Sequence, residues 1–249
     1  MLAAARCGLP VAPVQYQPIV NACLIQRYDR VAHADGSMTR LWQADFCQLL
    51  GRDSGGKYEV DGGPSFVDCF NLARQHSVEP AADQRQLLRW LFFNLYVGNN
   101  DAHAKNLSMI DTPDGCRLAP FYDLMSTCVH TGLGPNFAFR IGGEFEPGKI
   151  GSQQIVKLAE EVRISPKYLV SIAQEMADKV NKAIPDVAKA LIPMLESSQA
   201  TLAQRIVYKV QKLVKQTQRR LSGVPEPLDL SDTVDDDTND RSNRRRISP

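Results

Sequence analysis

The chain has 249 residues, 43% of them hydrophobic, with a formal net charge of +1. That is enough apolar material for a core in one large domain or two modest ones. The balanced charge, with no long Lys/Arg block in the body of the chain, gives no reason to invoke nucleic acid or an anionic membrane. No apolar run approaches a bilayer span and the N-terminus lacks a signal-peptide pattern, so no membrane partner and a cytoplasmic location are expected. The six cysteines, at 7, 23, 47, 69, 116 and 128, include no C-x-x-C pair, and the four histidines, at 33, 76, 103 and 130, have no zinc spacing. Reduced, largely buried thiols and no zinc site follow.

Taken in order, Met1 to Cys7 is rich in helix formers, Gly8 suits a left-handed stop, and Pro10 blocks continuation. Such a short helix does not hold itself together, so the chain is expected to start inside an element whose beginning is missing. Val14 to Val31 alternates apolar and polar residues around Pro18 and Asn21, which suits two strands of a small antiparallel sheet. A turn at Ala34 to Ser37, a strand at Met38 to Trp42 and a helical turn from Asp45 closed by Gly51 come next. Arg52 to Pro64 reads by composition as a Gly-rich, charged linker. Pro64 is expected to start a helix to His76. Asp83 is a candidate N-cap for a helix to Val97 with Leu87, Leu88, Leu91, Phe92 and Leu95 on its apolar face, and Trp90 and Phe93 read as core.

That helix delivers a polar cluster: Asn99, Asn100, Asp101, His103, Lys105 and Asn106, with Asp123 following the LAPFY approach. Loops leaving a rigid apolar element with clustered acids, amides and a histidine are where sites usually sit. A D-x-x-x-x-N spacing can aim a carboxylate and an amide oxygen at one point. Phosphoryl-transfer sites use it with a later Asp, the first Asp accepting a hydroxyl proton while the Asn and the second Asp hold magnesium. The plainer alternative is that Asn-Asn-Asp stops the helix, Asp114-Gly115 makes a hairpin turn and Tyr122-Asp123 caps the next segment. Spacing alone leaves both open.

Beyond the cluster, Gly132 to Gly143 reads as loop and strand with Phe137, Phe139 and Ile141 alternating. Ile155, Leu158, Ala159 and Val162 have helical spacing within Ser152 to Ile164; Pro166 opens another helix, interrupted at Pro185, that runs to Ile192. A final helix from Glu196 to Leu221 carries Lys209, Lys212, Lys215, Arg219 and Arg220 on one face, read as solvated rather than as a nucleic-acid or antitoxin contact. Residues 224–249, polar and of split charge, are expected to form a disordered tail.

The strings NNDAHAKNLS (99–108) and LAPFYDLMS (118–126), with LIQRYDR (24–30) and FCQLLGRDSGGKYEVDGGPSF (46–66), together resemble the HipA family of bacterial serine/threonine kinase toxins from toxin–antitoxin modules. The likeness extends to about Gly223. It implies an α+β, protein-kinase-like HipA fold, mostly the helical C-terminal lobe with a small antiparallel sheet at the N-terminus, over residues 1–223. It implies Asp101 as catalytic base and Asn106 and Asp123 as magnesium ligands. His103, Lys105 and Tyr122 would lie on the nucleotide side and Gln26, Arg27 and Tyr28 would form a hinge against adenine. Gln26 stands where the family would carry Glu. The resemblance also implies that the Arg52 to Pro64 loop packs near the site, and that the cofactors are ATP and Mg2+. Implied partners are a protein substrate, such as a translation-machinery protein, and a helix-turn-helix antitoxin that links the kinase indirectly to DNA. The first forty residues contain no phosphate-covering glycine loop and no strand lysine. The expectation is therefore a kinase whose N-terminal lobe comes from another chain or an upstream segment. The alternative is a truncated, inactive remnant or antitoxin-binding module.

Overall fold

The computed structural model describes residues 1–52, 55–130 and 132–223. Helix α1, Leu2–Arg6, buries Ala3 and Ala4 and ends at Gly8 with φ +76°. Five residues cannot sustain a helix alone; tertiary contacts hold this one. The buried Arg89 guanidinium donates to Cys7 O (2.8 Å) and Gly8 O (3.0 Å), and Glu175 lies 3.3 Å from it, so the orphan carbonyls at the helix end are satisfied by a paired cation.

Strands β1, Val14–Gln17, and β2, Ala22–Ile25, form an antiparallel hairpin, turned by Pro18–Val20 and a left-handed Asn21. Strands β3, Arg30–Ala32, and β4, Met38–Arg40, make a second ladder. The strand expected over Met38 to Trp42 is shorter than expected. It ends at Arg40, and β5, Gln43–Asp45, joins β6, Ser108–Thr112, and β7, Gly115–Leu118, in a third sheet of order β5-β6-β7. The single small sheet becomes three, because each segment finds a different partner.

Asp45 and Gln48 form a reciprocal capping box on α2, Phe46–Leu49. Helix α3, Phe66–His76, begins later than expected, since Ser65 with Asp68 makes its cap. Helix α4, Pro80–Val97, begins earlier: Pro80 occupies its first turn and Asp83 lies inside the helix. There Asp83 accepts from Arg117 Nη2 (2.9 Å), Arg117 Nε (3.1 Å), Leu118 N (2.8 Å) and Ser77 Oγ (2.6 Å). Burial opposes its charge, but these donors outweigh it and hold the carboxyl below its usual range. From Leu87 to Val97 every residue of α4 is buried, so this is a central helix rather than an amphipathic one.

Around α4 pack α3, α5 (Ser152–Val162), α6 (Pro166–Leu191) and α7 (Ser197–Leu221), directly or through one another. Ile155, Leu158, Ala159 and Val162 are the buried face of α5, as their spacing predicts. Helix α6 runs through Pro185 to Leu191 without the expected interruption, its buried row ending at Ala183. Phe137, Phe139 and Ile141 are buried, yet the described part of Gly132 to Gly143 contains no strand, only a bridge between Ile141 and Glu144. Phe139 instead packs edge-on against Phe66 and Trp90. Cys7, Cys47 and Cys69 are buried, Cys116 and Cys128 half-buried and Cys23 exposed, all as free thiols. The expected tail lies outside the described residues.

Candidate active site

Helix α4 ends at Gly98, left-handed with φ +65°, and the chain then turns through Asn99 to Asn106. This loop is bolted from below. Gly98 O accepts from Thr127 N (3.0 Å), Cys128 N (3.0 Å) and Thr127 Oγ1 (3.0 Å), and Thr127 Oγ1 accepts from Asn100 N (2.8 Å). Buried Asn99 donates through Nδ2 to Asn94 Oδ1 (2.8 Å) and to Asp123 O (3.4 Å), tying the helix end to the second acidic segment. Asp123 itself is left-handed, φ +54°, a conformation that Asp tolerates better than most residues.

Two of the sequence-predicted residues meet directly: Asn106 Nδ2 donates to Asp123 Oδ2 at 2.9 Å. Turned over, the amide would offer its oxygen at the same place. One amide oxygen and one carboxylate suit a hard cation that keeps much of its water, such as magnesium. Among the described residues no cluster of three or more His, Cys, Asp and Glu side chains could hold a metal.

Asp101 stands apart from this pair, in a charged cage of its own. Tyr58 donates its hydroxyl to Asp101 Oδ1, and Lys57 Nζ and His103 Nε2 each lie 3.6 Å from the same oxygen. All three contacts lie on Oδ1. His103 is buried, with its ring edge-on to Tyr58 at 5.3 Å. Burial, and then the Lys57 charge, push the imidazole below its usual range, so it is neutral at pH 7. Its Nδ1 is buried without a hydrogen-bond partner. Tyr58 and Lys57 are functional candidates that the residue pattern did not single out; the only sequence signal was the resemblance of the surrounding loop.

A cavity of about 510 Å³ opens against Asp123 and is lined by Gln26, Arg27, Tyr28, Asp29 and Tyr122 among others. That volume is in the range of small-molecule sites. Tyr28 stacks on Tyr122, ring centroids 6.3 Å apart, and Tyr122 donates its hydroxyl to Lys105 O. Burial, and then the nearby Tyr122, push the Tyr28 phenol up to about 12. Beneath it Asp29 is buried and takes Arg27 Nε at 2.8 Å and Nη2 at 2.6 Å, with Arg30 as a further donor. The Arg27 hydrogen bonds, aided by the charges of Arg27 and Arg30, bring its carboxyl down to about 2. Gln26, Arg27, Tyr28 and Tyr122 thus share one cavity wall with Asp123. His103 and Lys105 are not on that wall: His103 faces Asp101, and Lys105 contributes its carbonyl to hold Tyr122.

The chain is similar to several known proteins. Y4mE of Sinorhizobium fredii (strain NBRC 101917 / NGR234), a kinase by name, is 37% identical over 198 residues, 77% of this chain and 47% of that protein. The serine/threonine-protein kinase toxin HipA of Shewanella oneidensis is 31% identical over 222 residues, 84% of this chain and 50% of that one. Among solved structures, the Shewanella oneidensis MR-1 toxin–antitoxin complex of HipA, HipB and operator DNA matches with a TM-score of 0.79 at 27% identity, covering 90% of this chain and 55% of that one. The α+β HipA fold is therefore shown, and the chain spans about half the length of these relatives. The HipA-like C-terminal domain family matches residues 1–184, and to that family this chain belongs.

Proposed function

We propose that this chain carries the base and metal-binding part of a serine/threonine protein kinase of a toxin–antitoxin module, passing the γ-phosphate of ATP to a protein serine. The observation that carries the reading is the placement of Asp101, Asn106 and Asp123, with a ligand-sized cavity ending on Asp123. The relatives named as kinases support the same class. In this reading Asp101 takes the serine proton on Oδ2, while Tyr58, Lys57 and His103 fix its Oδ1. A neutral His103 does not compete as a cation for the carboxylate. Asn106 and Asp123 would hold magnesium. When bound, that ion would offset charge on the phosphoryl oxygens. Gln26, Arg27 and Tyr28 would flank adenine, with Tyr122 supporting Tyr28. Contacts to the phosphates beyond these would come from the part of the relatives' length that this chain does not span.

Translation-machinery proteins are the substrates that the family likeness suggests. A helix-turn-helix antitoxin, and DNA through it, are the corresponding partners, in line with a structural neighbour that is a complex of HipA, HipB and operator DNA. No helix among the described residues is long and apolar enough to cross a membrane, and the cytoplasm is the compartment we infer. Phosphoryl transfer to serine in a candidate substrate, followed by mass spectrometry, tests the reading. Asp101→Asn is expected to lower the rate about 100-fold or more while leaving nucleotide binding in place; transfer at the wild-type rate would refute it.

A further inference from the structure

A second groove, of about 380 Å³, opens on Asp101 away from the Gln26–Tyr28 cavity. Its rim is apolar and exposed: Val60 is 65%, Leu133 56% and Met125 49% accessible. Single exposed apolar residues need no explanation. Here three of them, from three separate loops, surround one groove that ends on a carboxylate, with buried Phe137 at its side. Among the described residues Asp101 is the one charged residue in the lining.

The walls are built, and they are tied to the carboxylate. Asn100, the residue before Asp101, donates through Nδ2 to Gly134 O (3.2 Å) and Pro135 O (3.1 Å), fixing the Leu133 wall to the loop that carries Asp101. On the opposite side Glu59 accepts from Arg140 N at 2.9 Å, and so links the Val60 turn to the same wall. Tyr58 joins that turn directly to Asp101. Movement of either wall would therefore disturb the carboxylate, and the reverse.

Resting on the kinase reading above, we propose that this groove receives an apolar side chain of the protein substrate flanking the phosphoacceptor serine. A segment entering the groove must bring its hydroxyl to Asp101 and lay a neighbouring side chain against Val60, Leu133 and Met125. An acidic neighbour would meet the Asp101 charge. A basic one would pair with the carboxylate that has to accept the serine proton. Among the described residues the lining offers neither of them a second charge, and Lys57, 3.6 Å from Asp101, already pairs with that carboxylate. Leucine or methionine would gain by leaving water there.

The test uses the full protein and serine peptides that differ at one flanking position: Leu, Met, Ala, Lys or Glu. The expected kcat/KM for Leu and Met is about tenfold or more above Lys and Glu. In Val60→Asp and Leu133→Asp variants the ratio should fall below about threefold, chiefly through KM. Because each ratio is taken within one variant, a partly unfolded preparation does not change it. Equal use of all the peptides by the wild type, or an unchanged ratio in both variants, overturns this inference and leaves the kinase reading intact. If the wild type shows no Asp101-dependent transfer to any peptide or protein, the kinase reading falls and this inference with it.

Discussion

Gly98→Ala should be the most disruptive small substitution next to the site. Gly98 is left-handed, and a Cβ there would lie 2.5 Å from Cys128 Sγ, 2.8 Å from Cys128 Cβ and 3.0 Å from Leu213 Cδ1. The left-handed backbone costs an L-residue about 1–2 kcal/mol, and forcing a methyl into a packed site costs about 1–3 kcal/mol more. A loss of about 3 kcal/mol corresponds to a fall in Tm of about 6–12 °C for a domain of this size. Cys128 Sγ is the nearest clash, and Cys128→Ala removes it while keeping Cβ, so Gly98→Ala/Cys128→Ala should recover about 1 kcal/mol relative to the sum of the single changes, leaving the backbone penalty and the Cβ contact. Thermal and urea unfolding of the four proteins of this cycle would measure it. A Gly98→Ala protein melting within about 2 °C of wild type, or additive single changes, would refute the close packing inferred under the loop.

Other outcomes follow from the same structure. Asp83→Ala strips a buried partner from Arg117, Ser77 and Leu118 N and should cost about 3 kcal/mol in urea unfolding, with Glu79 left as the neighbouring acid to Arg117. For Asp29, with its carboxyl at about 2, the sign is that of a depressed acid: its contribution is full above the unfolded value near 4 and is lost as the pH falls through about 2. Asp29→Asn should therefore flatten the acid limb of a Tm-against-pH curve between pH 4 and 2, less so at high salt because Arg27 is exposed. An acid limb identical to wild type would exclude that role.

How much could be read beforehand depended on whether the determining contacts were local. The loop from Asn99 to Asn106 was visible because polar residues crowd the end of an apolar helix, and α5 because its four buried residues follow a helical period. Asp83 was misread as a cap since its partner Arg117 lies 34 residues away, while Pro80 sets the true start. Tyr58 reaches Asp101 across 43 residues from a loop whose composition says only linker; family likeness placed that loop near the site, but no local rule would have done so. Phe137, Phe139 and Ile141 alternate like a strand and are buried like one, yet their burial comes from Phe66, Trp90 and the surrounding core rather than from a ladder. Likewise Met38 to Trp42 carries strand propensity but no information on its partner, and the strand that pairs with β6 begins only at Gln43.

The most direct test is calorimetric binding of ATP with and without magnesium, by the wild type and by Asp123→Asn. Asn accepts the left-handed backbone at position 123, so this variant should keep its fold, with a Tm within a few degrees of wild type, while losing the carboxylate that meets Asn106. The account predicts magnesium-dependent binding by the wild type, weakened about tenfold or more in the variant. Magnesium-dependent binding of equal strength by both proteins would contradict the assignment of Asn106 and Asp123 to a nucleotide-bound metal.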